Sequence, residues 1–224
     1  MGAAHPSHWA ELFTCAVEII SKTEEAIGFK PQWSFGGGTA LMLEIDHRES
    51  YDIDIFIDDP QLLPYLNPET QRYRIASKPS SYSTDGTRTL RLAYQDLGEI
   101  DFICCSHILA YPTSSREVNG HQVTMDRPDE IIAKKIYYRG SSLQPRDMFD
   151  LAAVADHFGT DYVVAAMKQC GQDRCSAALA VVEKVDPEFV RKIIGNLMLR
   201  DNRAHLVSTA QSVTARVLKE VLAG

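Results

Sequence analysis

The sequence predicts an α+β fold in which a small mixed sheet is followed by a helical region. Two patterns support this class. Up to residue 127, short apolar or alternating stretches separated by turn residues indicate strands, and from Pro128 onward apolar residues recur at helical spacing. The 224 residues, 45% of them hydrophobic, suffice for a sizeable core in one large domain or two small ones. We place a boundary between a first domain, residues 1–127, and a second, residues 128–224.

The first half begins with a helix and a strand–turn–helix–strand unit. Apolar residues at helical spacing predict a helix over residues 8–27, ended by Gly28. In the unit that follows, Trp33–Phe35 is a strand, three glycines turn it, Thr39 caps a helix, and Tyr51–Ile57 returns as a strand. The other predicted elements are a short helix over 61–66, strands over 72–77, 89–94 and 99–104, and a tight hairpin at Asn119-Gly120.

The second half is helical almost to its end. Pro128, Pro145 and Pro187 each stand where a helix can begin, because the first helical position needs no N–H donor. The last third shows amphipathic packing without a chemical motif. Its basic residues are either candidate RNA contacts or ordinary solvated charges, and they are Lys184, Arg191, Lys192, Arg200 and Arg203.

Composition argues against several classes of protein. A net charge of −7 argues against coating of nucleic acid through bulk electrostatics, although a local basic patch can still hold an RNA end. No stretch approaches the roughly 18 apolar residues of a membrane span, and the N-terminus lacks a signal-peptide pattern. We therefore expect a cytoplasmic protein without membrane contact. The five cysteines lack zinc-finger spacing, and we expect them to serve as small hydrophobic residues.

Asp52 and Asp54 form the strongest chemical signal in the chain. Side chains two residues apart on a strand project from the same face, so these carboxylates converge while Ile53 and Ile55 enter the core. The pair repels itself unless a cation lies between its members. Hard oxygen ligands suit Mg²⁺, which takes its other ligands from water and substrate phosphates. The pair therefore indicates nucleoside triphosphate chemistry.

The glycine turn before this strand is a candidate phosphate site. Gly37 and Gly38 would let the backbone approach a triphosphate closely, and Thr39 would offer a hydroxyl and N–H groups to its oxygens. The alternative is an ordinary strand-to-helix turn, because a glycine turn alone is weak evidence. An Asp-x-Asp strand at this distance favours the phosphate site. Arg48 either neutralises a phosphate or pairs with Glu44 one helical turn back.

Asp101 is a candidate third metal ligand. It lies in an apolar strand, so its charge needs a partner there. Three carboxylates from two adjacent strands can hold two divalent ions, Mg²⁺ or Mn²⁺, about 3.5–4 Å apart. The alternative partner is an arginine, for instance Arg91. Taken with Asp52 and Asp54, Asp101 favours the metal.

These motifs resemble those of the AbiEii/AbiGii-type nucleotidyltransferases, a branch of the polymerase-β-like nucleotidyltransferase superfamily that includes bacterial toxins. The resemblance spans about Phe35 to Leu151, and its departures are small: an additional Gly36, and threonine where many relatives carry serine. The matching residues are Gly37-Gly38-Thr39-Ala40-Leu41, then His47-Arg48-x-Ser50-x-Asp52-x-Asp54, then Asp101, and a second block with Lys135, Arg146, Asp147 and Asp150.

The second block carries the candidate phosphate-binding cation. Lys135 lies on a helix whose apolar residues face the core, so its ammonium could reach a nucleotide phosphate, and Lys134 is the competing candidate for this contact. Asp147 would contact substrate or orient Lys135. Arg146 and Asp150 are one helical turn apart and can pair, and we also expect Arg146 to contact the nucleotide. A purely structural network of salt bridges explains this block equally well.

The resemblance implies an enzyme of the polymerase-β-like fold that transfers NMP from an NTP to an acceptor with Mg²⁺ and releases pyrophosphate. The implied acceptors are RNA, notably tRNA ends, or protein, and an antitoxin protein is a candidate partner. The helical region would close the nucleotide cleft. Two alternatives stay open: transfer to a small molecule such as an aminoglycoside, held by Asp58, Asp59 and Asp147, and a non-catalytic nucleotide-binding module on the same scaffold.

Overall fold

The structure, a computed structural model, describes residues 7–224 and confirms the α+β fold. The chain divides into two compact units. The first comprises residues up to 40 together with 50–106 and 113–126, and the second comprises 41–49, 107–112 and 127–224. The domain boundary at residue 127 and the closing of a nucleotide cleft by residues 128–224 stay predictions. Residues 1–6, which the first predicted domain includes, lie outside the described part.

The first unit contains a long helix and, within the described residues, a mixed sheet of seven strands. The helix α1 spans Trp9–Ile27. The strands are β1 Trp33–Gly36, β2 Ile53–Ile57, β3 Ser81–Thr84, β4 Thr89–Tyr94, β5 Gly98–Cys104, β6 Thr113–Val118 and β7 His121–Asp126. A helix α2, Gly37–Ile45, begins in this unit and ends in the second, and a single helical turn α3 spans Pro68–Gln71.

The order of the strands places the two acidic strands side by side. Across the sheet the order is β3-β4-β5-β2-β1-β7-β6. The pairs β2–β5 and β1–β7 are parallel, and the other four pairs are antiparallel. The hairpin between β6 and β7 confirms the predicted turn, because Asn119 and Gly120 have φ angles of 48° and 79°, both positive as a type I′ turn requires.

The core of the first unit lies under α1. Leu12, Phe13 and Ile19 are fully buried, and the rings of Phe13 and Phe35 lie 4.9 Å apart. Each such side chain contributes about 1.5–3 kcal/mol through removal of apolar surface from water. The helix ends as predicted at Gly28, which adopts φ 81° and donates its N–H to the carbonyl of Glu24.

The second unit is helical. Its helices are α4 Pro128–Arg139, α5 Pro145–Phe158, α6 Thr160–Cys170, α7 Gln172–Lys184, α8 Pro187–Gly195 and α9 Ala210–Ala223. The three prolines that were predicted to begin helices lie in the first turns of α4, α5 and α8. Met148, Phe149, Val163 and Val217 are fully buried and form part of the core of this unit.

Two of the predicted elements are wrong. The helix predicted over 61–66 is only a 3₁₀ turn at Pro60–Leu62. The strand predicted over 72–77 is absent from the described chain, and the strand of this region is β3. Arg72 adopts φ 57°, which ends the preceding turn, and the N–H of Ala76 donates to the carboxylate of Glu18 instead of to a neighbouring strand.

The five cysteines form no disulfide within residues 7–224, and Cys15, Cys170 and Cys175 are buried, as expected of small hydrophobic residues. Burial raises the pKa of the Cys170 thiol to about 12, so this group stays protonated at neutral pH. Among residues 7–224, no helix is long and apolar enough to cross a membrane.

Candidate active site

The turn between β1 and α2 admits only glycine at two positions. Strand β1 runs directly into α2, and Gly37 adopts φ +67°. A Cβ at Gly37 would lie 1.8 Å from Oδ2 of Asp54, and a Cβ at Gly36 would lie 2.4 Å from the ring of Phe56. The additional Gly36 is therefore a steric requirement. The backbone at the start of α2 approaches the Asp54 carboxylate closely because Gly37 has no side chain.

Thr39 plays a different local role from the predicted one. It was predicted to cap α2, but α2 begins at Gly37, so Thr39 lies within the first turn. Its side chain is fully buried, and its hydroxyl donates to the backbone carbonyl of Asp52. The hydroxyl thus ties the start of α2 to the segment that precedes β2. A contact between Thr39 and phosphate through the backbone N–H stays a prediction.

Two of the three predicted carboxylates, those of Asp54 and Asp101, lie at one level of the sheet. Asp54 on β2 is directly opposite Asp101 on the parallel strand β5. Opposite residues of neighbouring strands project to the same face, and Ile53 and Ile55 are buried on the other face. Asp52 lies just before β2, where its Oδ1 accepts a hydrogen bond of 3.1 Å from the N–H of Glu99. This register agrees with a shared face for Asp54 and Asp101, and the convergence of all three carboxylates stays a prediction.

Asp101 also has the arginine partner that was the alternative. Arg91 on β4 is opposite Asp101, and its Nε and Nη2 donate to the two carboxylate oxygens at 2.7 and 2.8 Å. Its Nη1 lies 3.2 Å from Oε2 of Glu99. The hydrogen bonds to Asp101, together with the charges of Asp101, Glu99 and Asp52, raise the pKa of Arg91 above its usual value. Arg91 is therefore a cation that pairs with Asp101 and Glu99 in this structure.

The donor chemistry of this group fits a divalent cation. Among residues 7–224, no three Asp, Glu, His or Cys side chains are arranged closely enough to hold a metal ion. Asp54 and Asp101 nevertheless project to the same face, the start of α2 lies against Asp54, and the guanidinium of Arg91 already provides positive charge at Asp101. The oxygen donors of these residues are of the kind that Mg²⁺ prefers, and its binding here stays a prediction.

Asp126 is an acidic neighbour that sequence reasoning missed. Phe35 on β1 is opposite Met125 on the parallel strand β7, so Asp126 lies next to Gly36. The Asp126 side chain is fully buried, and its Oδ2 would lie 2.6 Å from a Cβ at Gly36. It ends a strand that is 90 residues away in sequence from β1, and only the strand order reveals their proximity.

A second charged cluster, in the second unit, contains Lys135. Its ammonium lies 2.6 Å from Oδ1 of Asp147 and 2.9 Å from Oδ2 of Asp150. Asp147 also accepts from Arg139 and from the N–H of Gln144, in the first turn of α5. Burial acts to raise the pKa of Asp147, but the charges of Lys135 and Arg139 outweigh it and the pKa is lowered. Of the two roles considered for Asp147, the structure shows the contact with Lys135.

Asp150 joins this cluster to the segment before the acidic motif. Arg48 donates from Nε and Nη2 to the two oxygens of Asp150 at 2.7 and 2.9 Å, and Nε2 of His47 lies 2.9 Å from Oδ1. His47 is fully buried and stacks on Phe149, and burial lowers its pKa despite Asp150. His47 is thus neutral at pH 7. Asp150 is thus a partner of Arg48 that the sequence interpretations, a phosphate or Glu44, did not include.

The predicted pair between Arg146 and Asp150 is wrong. Asp150 is completely buried and points to Arg48, Lys135 and His47, whereas Arg146 is exposed on α5. Because Arg146 is exposed, its guanidinium is accessible to solvent. The contacts of Lys135, Arg48 and Arg146 with a nucleotide stay predictions.

The comparisons with known proteins agree with this geometry. A sequence profile described as nucleotidyl transferase AbiEii toxin, type IV toxin-antitoxin system, matches residues 23–220. No curated protein matches the sequence.

Solved structures resemble the chain over almost its whole length. A candidate nucleotidyltransferase from H. pylori matches with a TM-score of 0.51 and 15% identity, covering 97% of this chain and 96% of its own. JHP933 from Helicobacter pylori matches with a TM-score of 0.50 and 16% identity, covering 98% and 94%. MenT4, a nucleotidyltransferase toxin from Mycobacterium tuberculosis, has a TM-score of 0.48 and 17% identity, covering 96% and 92%. The two Helicobacter structures show the same fold.

Proposed function

Because this chain belongs to the AbiEii nucleotidyltransferase toxin family, we propose that it transfers NMP from an NTP to a macromolecular acceptor with Mg²⁺ at Asp52, Asp54 and Asp101. The family match covers most of the chain, so the protein is an NTP-using nucleotidyltransferase. The metal, the acceptor and the action as a toxin are the proposed part.

One observation supports the proposal above all others: Asp54 and Asp101 are register partners on parallel strands. This pairing brings two carboxylates distant in sequence to one level and one face of the sheet. Gly37 lies against the Asp54 carboxylate and starts a helix there. Backbone N–H groups at a helix start bind phosphate, so an anion site and a cation site adjoin each other.

The chemistry divides among a few residues. The N–H groups of Gly37, Gly38 and Thr39 would bind triphosphate oxygens, and Asp52, Asp54 and Asp101 would hold the divalent ions. Bound divalent ions lower the pKa of an attacking hydroxyl and stabilise the departing pyrophosphate. The hydroxyl of Thr39 and the N–H of Glu99 keep the Asp52 segment in position.

Four residues of the second unit belong to the proposal on the strength of their sequence motifs. Lys135 and Arg146 are proposed nucleotide contacts, with Arg48 as a further candidate. Asp147 is proposed to act through Lys135, because their charged atoms lie 2.6 Å apart. Substitution of these residues should therefore weaken nucleotide binding more than it weakens metal binding at Asp52, Asp54 and Asp101.

The proposed acceptor is RNA, notably a tRNA end, or a protein, and the proposed partner is an antitoxin protein in the cytoplasm. The family name, which includes a type IV toxin-antitoxin system, supports the partner. Transfer to a cationic small molecule is less favoured, because Asp147 is buried in ion pairs with Lys135 and Arg139. It therefore cannot bind such an acceptor without breaking them.

The test is label transfer from α-labelled NTP to total tRNA and to cell lysate with Asp52→Asn and Asp54→Asn variants. We expect each variant to lose activity by a factor on the order of a hundred or more, because transfer depends on charge neutralisation at the phosphates. The matched control is Asp58→Asn, which removes an exposed carboxylate just beyond the end of β2. Circular dichroism confirms that each variant is folded.

Two results of the label-transfer assay would contradict parts of the proposal. Label transfer by Asp52→Asn and Asp54→Asn at the rate of Asp58→Asn would show that these carboxylates do not serve the reaction. Transfer to none of the macromolecules but to a small molecule would leave the metal site intact and replace the acceptor.

A further inference from the structure

We propose that Arg91 is an internal counter-cation that competes with the metal for Asp101 and thereby sets the metal affinity of the site. The inference rests on the proposed metal site at Asp52, Asp54 and Asp101. It adds a residue that lies outside every motif discussed above and assigns it a positioning role.

The geometry places Arg91 on the oxygens that the metal would use. Both carboxylate oxygens of Asp101 accept hydrogen bonds from the guanidinium, at 2.7 and 2.8 Å. A bidentate pair of this kind occupies one lone pair on each oxygen and holds a positive charge where a bound divalent ion would come close. Asp101 can therefore bind the metal fully only after it gives up at least part of its pairing with Arg91.

Arg91 has a second partner that can retain it after this exchange. Its Nη1 already lies 3.2 Å from Oε2 of Glu99, two residues before Asp101 on the same face of β5. The Arg91 side chain is half exposed, so the guanidinium is free to move without breaking core packing. We expect the metal to shift Arg91 from Asp101 towards Glu99.

The electrostatics give this exchange a direction. Without metal, the carboxylates repel one another, and the single charge of Arg91 offsets part of that repulsion. A divalent ion supplies twice that charge and then repels the guanidinium. Removal of Arg91 should therefore strengthen metal binding, which is opposite to the effect of removing a metal ligand.

The experiment measures binding of Mn²⁺ to the whole protein by electron paramagnetic resonance, without nucleotide and without turnover. We expect Arg91→Gln to bind Mn²⁺ about three- to tenfold more tightly than the unmodified protein, since a partly exposed bidentate pair is worth about 1 kcal/mol. Arg88→Gln is the matched control. It removes the same charge at an exposed position just before β4 and should leave Mn²⁺ affinity within about twofold, because screening weakens distant exposed charges.

A conservative variant and a double-mutant cycle separate competition from general electrostatics. Arg91→Lys keeps the charge but loses the bidentate geometry, and its affinity should lie between those of the unmodified protein and Arg91→Gln. Glu99→Gln should weaken Mn²⁺ binding in the protein with Arg91 more than in Arg91→Gln, because only the former needs Glu99 to retain the displaced guanidinium. Equal effects of Glu99→Gln in the two backgrounds would contradict the exchange.

The outcomes distinguish this inference from the proposed function. Unchanged or weaker Mn²⁺ binding by Arg91→Gln, in a protein whose binding is lost in Asp52→Asn, would overturn the role of Arg91 and keep the metal site. Absence of Asp52-dependent Mn²⁺ binding in the unmodified protein would overturn the metal site itself, and the role of Arg91 with it. Tighter binding by both Arg91→Gln and Arg88→Gln would reduce the effect to net charge and also overturn the role of Arg91.

Discussion

At the scale of single residues, Gly37 shows how a motif becomes a steric requirement. Its φ of +67° already favours glycine, and the Asp54 carboxylate occupies the place where a side chain would begin. Gly28 shares the first property but not the second, because nothing lies within 4 Å of its missing Cβ. A comparison of substitutions at these two glycines therefore separates the cost of backbone strain from the cost of displacing Asp54.

Gly37→Ala should cost more stability and more activity than Gly28→Ala. The backbone strain of either substitution amounts to about 1–2 kcal/mol. Only Gly37→Ala also forces Asp54 to move, and we expect it to reduce label transfer by a factor on the order of a hundred. Urea unfolding and the transfer assay measure the two effects. Equal activity of the two variants would contradict a role for the close approach at Gly37.

Residues also mark where sequence reasoning reaches its limit. The same-face pair Asp52 and Asp54 follows from strand periodicity, which sequence shows directly. The choice between metal and Arg91 as the partner of Asp101 depends on which strand lies beside β5, and pairing order is a tertiary property. The structure shows the Arg91 partner, and it places Asp101 opposite Asp54 on the other side, where the metal stays a prediction.

At the scale of elements, α4 and α5 are joined by a buried charge cluster. Lys135 on α4 contacts Asp147 and Asp150 on α5, and Arg48 and His47 contact Asp150. A buried carboxylate that loses its charge leaves its cationic partners uncompensated, which is costly. The spacing Arg-Asp-x-x-Asp therefore has a structural meaning, whatever contact Lys135 makes with nucleotide.

Asp150→Asn should destabilise the protein by about 3–5 kcal/mol at pH 7. Asp156→Asn, on the same helix, should cost at most about 1 kcal/mol, because that carboxylate is partly exposed in its pairs with Arg203 and His205. Urea unfolding of both variants beside the unmodified protein measures the difference. Similar costs for the two variants would contradict the assignment of Asp150 as the buried anchor.

The loss of stability caused by Asp150→Asn should depend on pH. Burial acts to raise the pKa of Asp150, but the charges of Arg48 and Lys135 outweigh it and hold that pKa well below its usual value. A carboxylate with a lowered folded pKa stabilises fully above its unfolded pKa of about 3.9 and loses this effect as pH falls through the folded pKa. The difference in the free energy of unfolding between the unmodified protein and Asp150→Asn should thus stay constant from about pH 8 to 5. It should decrease below about pH 4.

At the scale of the whole molecule, sequence predicted the elements that depend on local signals better than the features that depend on contacts between distant segments. Apolar periodicity and proline positions led to α1, β2, β4, β5 and the proline-started helices, because these signals are local. The strand predicted over 72–77 failed because the backbone there bonds to Glu18, far away in sequence. Asp126 escaped notice for the same reason, since parallel pairing of β1 and β7 joins distant segments.

The charge distribution of the whole molecule also leads to a prediction. The net charge is −7, and three of the five basic residues first considered for RNA contact, Arg191, Arg200 and Arg203, are in ion pairs. For an RNA acceptor we therefore expect only two or three phosphate contacts. Acceptor affinity should fall by about tenfold between roughly 50 and 200 mM salt, since each contact adds about 0.7 to the logarithmic slope for a single strand.

Filter binding of labelled tRNA at increasing salt measures this slope. The double variant Lys184→Gln, Lys192→Gln removes two exposed charges and serves as the test of local contact. A shallower slope in the double variant assigns those lysines to the contact. A loss of a thousandfold over the same salt range would contradict a local patch and indicate a broad polyelectrolyte surface.

The glycine at the end of β1 has a consequence for how this family can vary. Gly36 has the Phe56 ring on one side and the Asp126 carboxylate on the other, each closer than 3 Å to where a side chain would start. An alanine at position 36 is thus tolerated only in a chain that has smaller side chains at the positions of Phe56 and Asp126. We expect these three positions to co-evolve, with a compensated triple exchange restoring what the single exchange destroys.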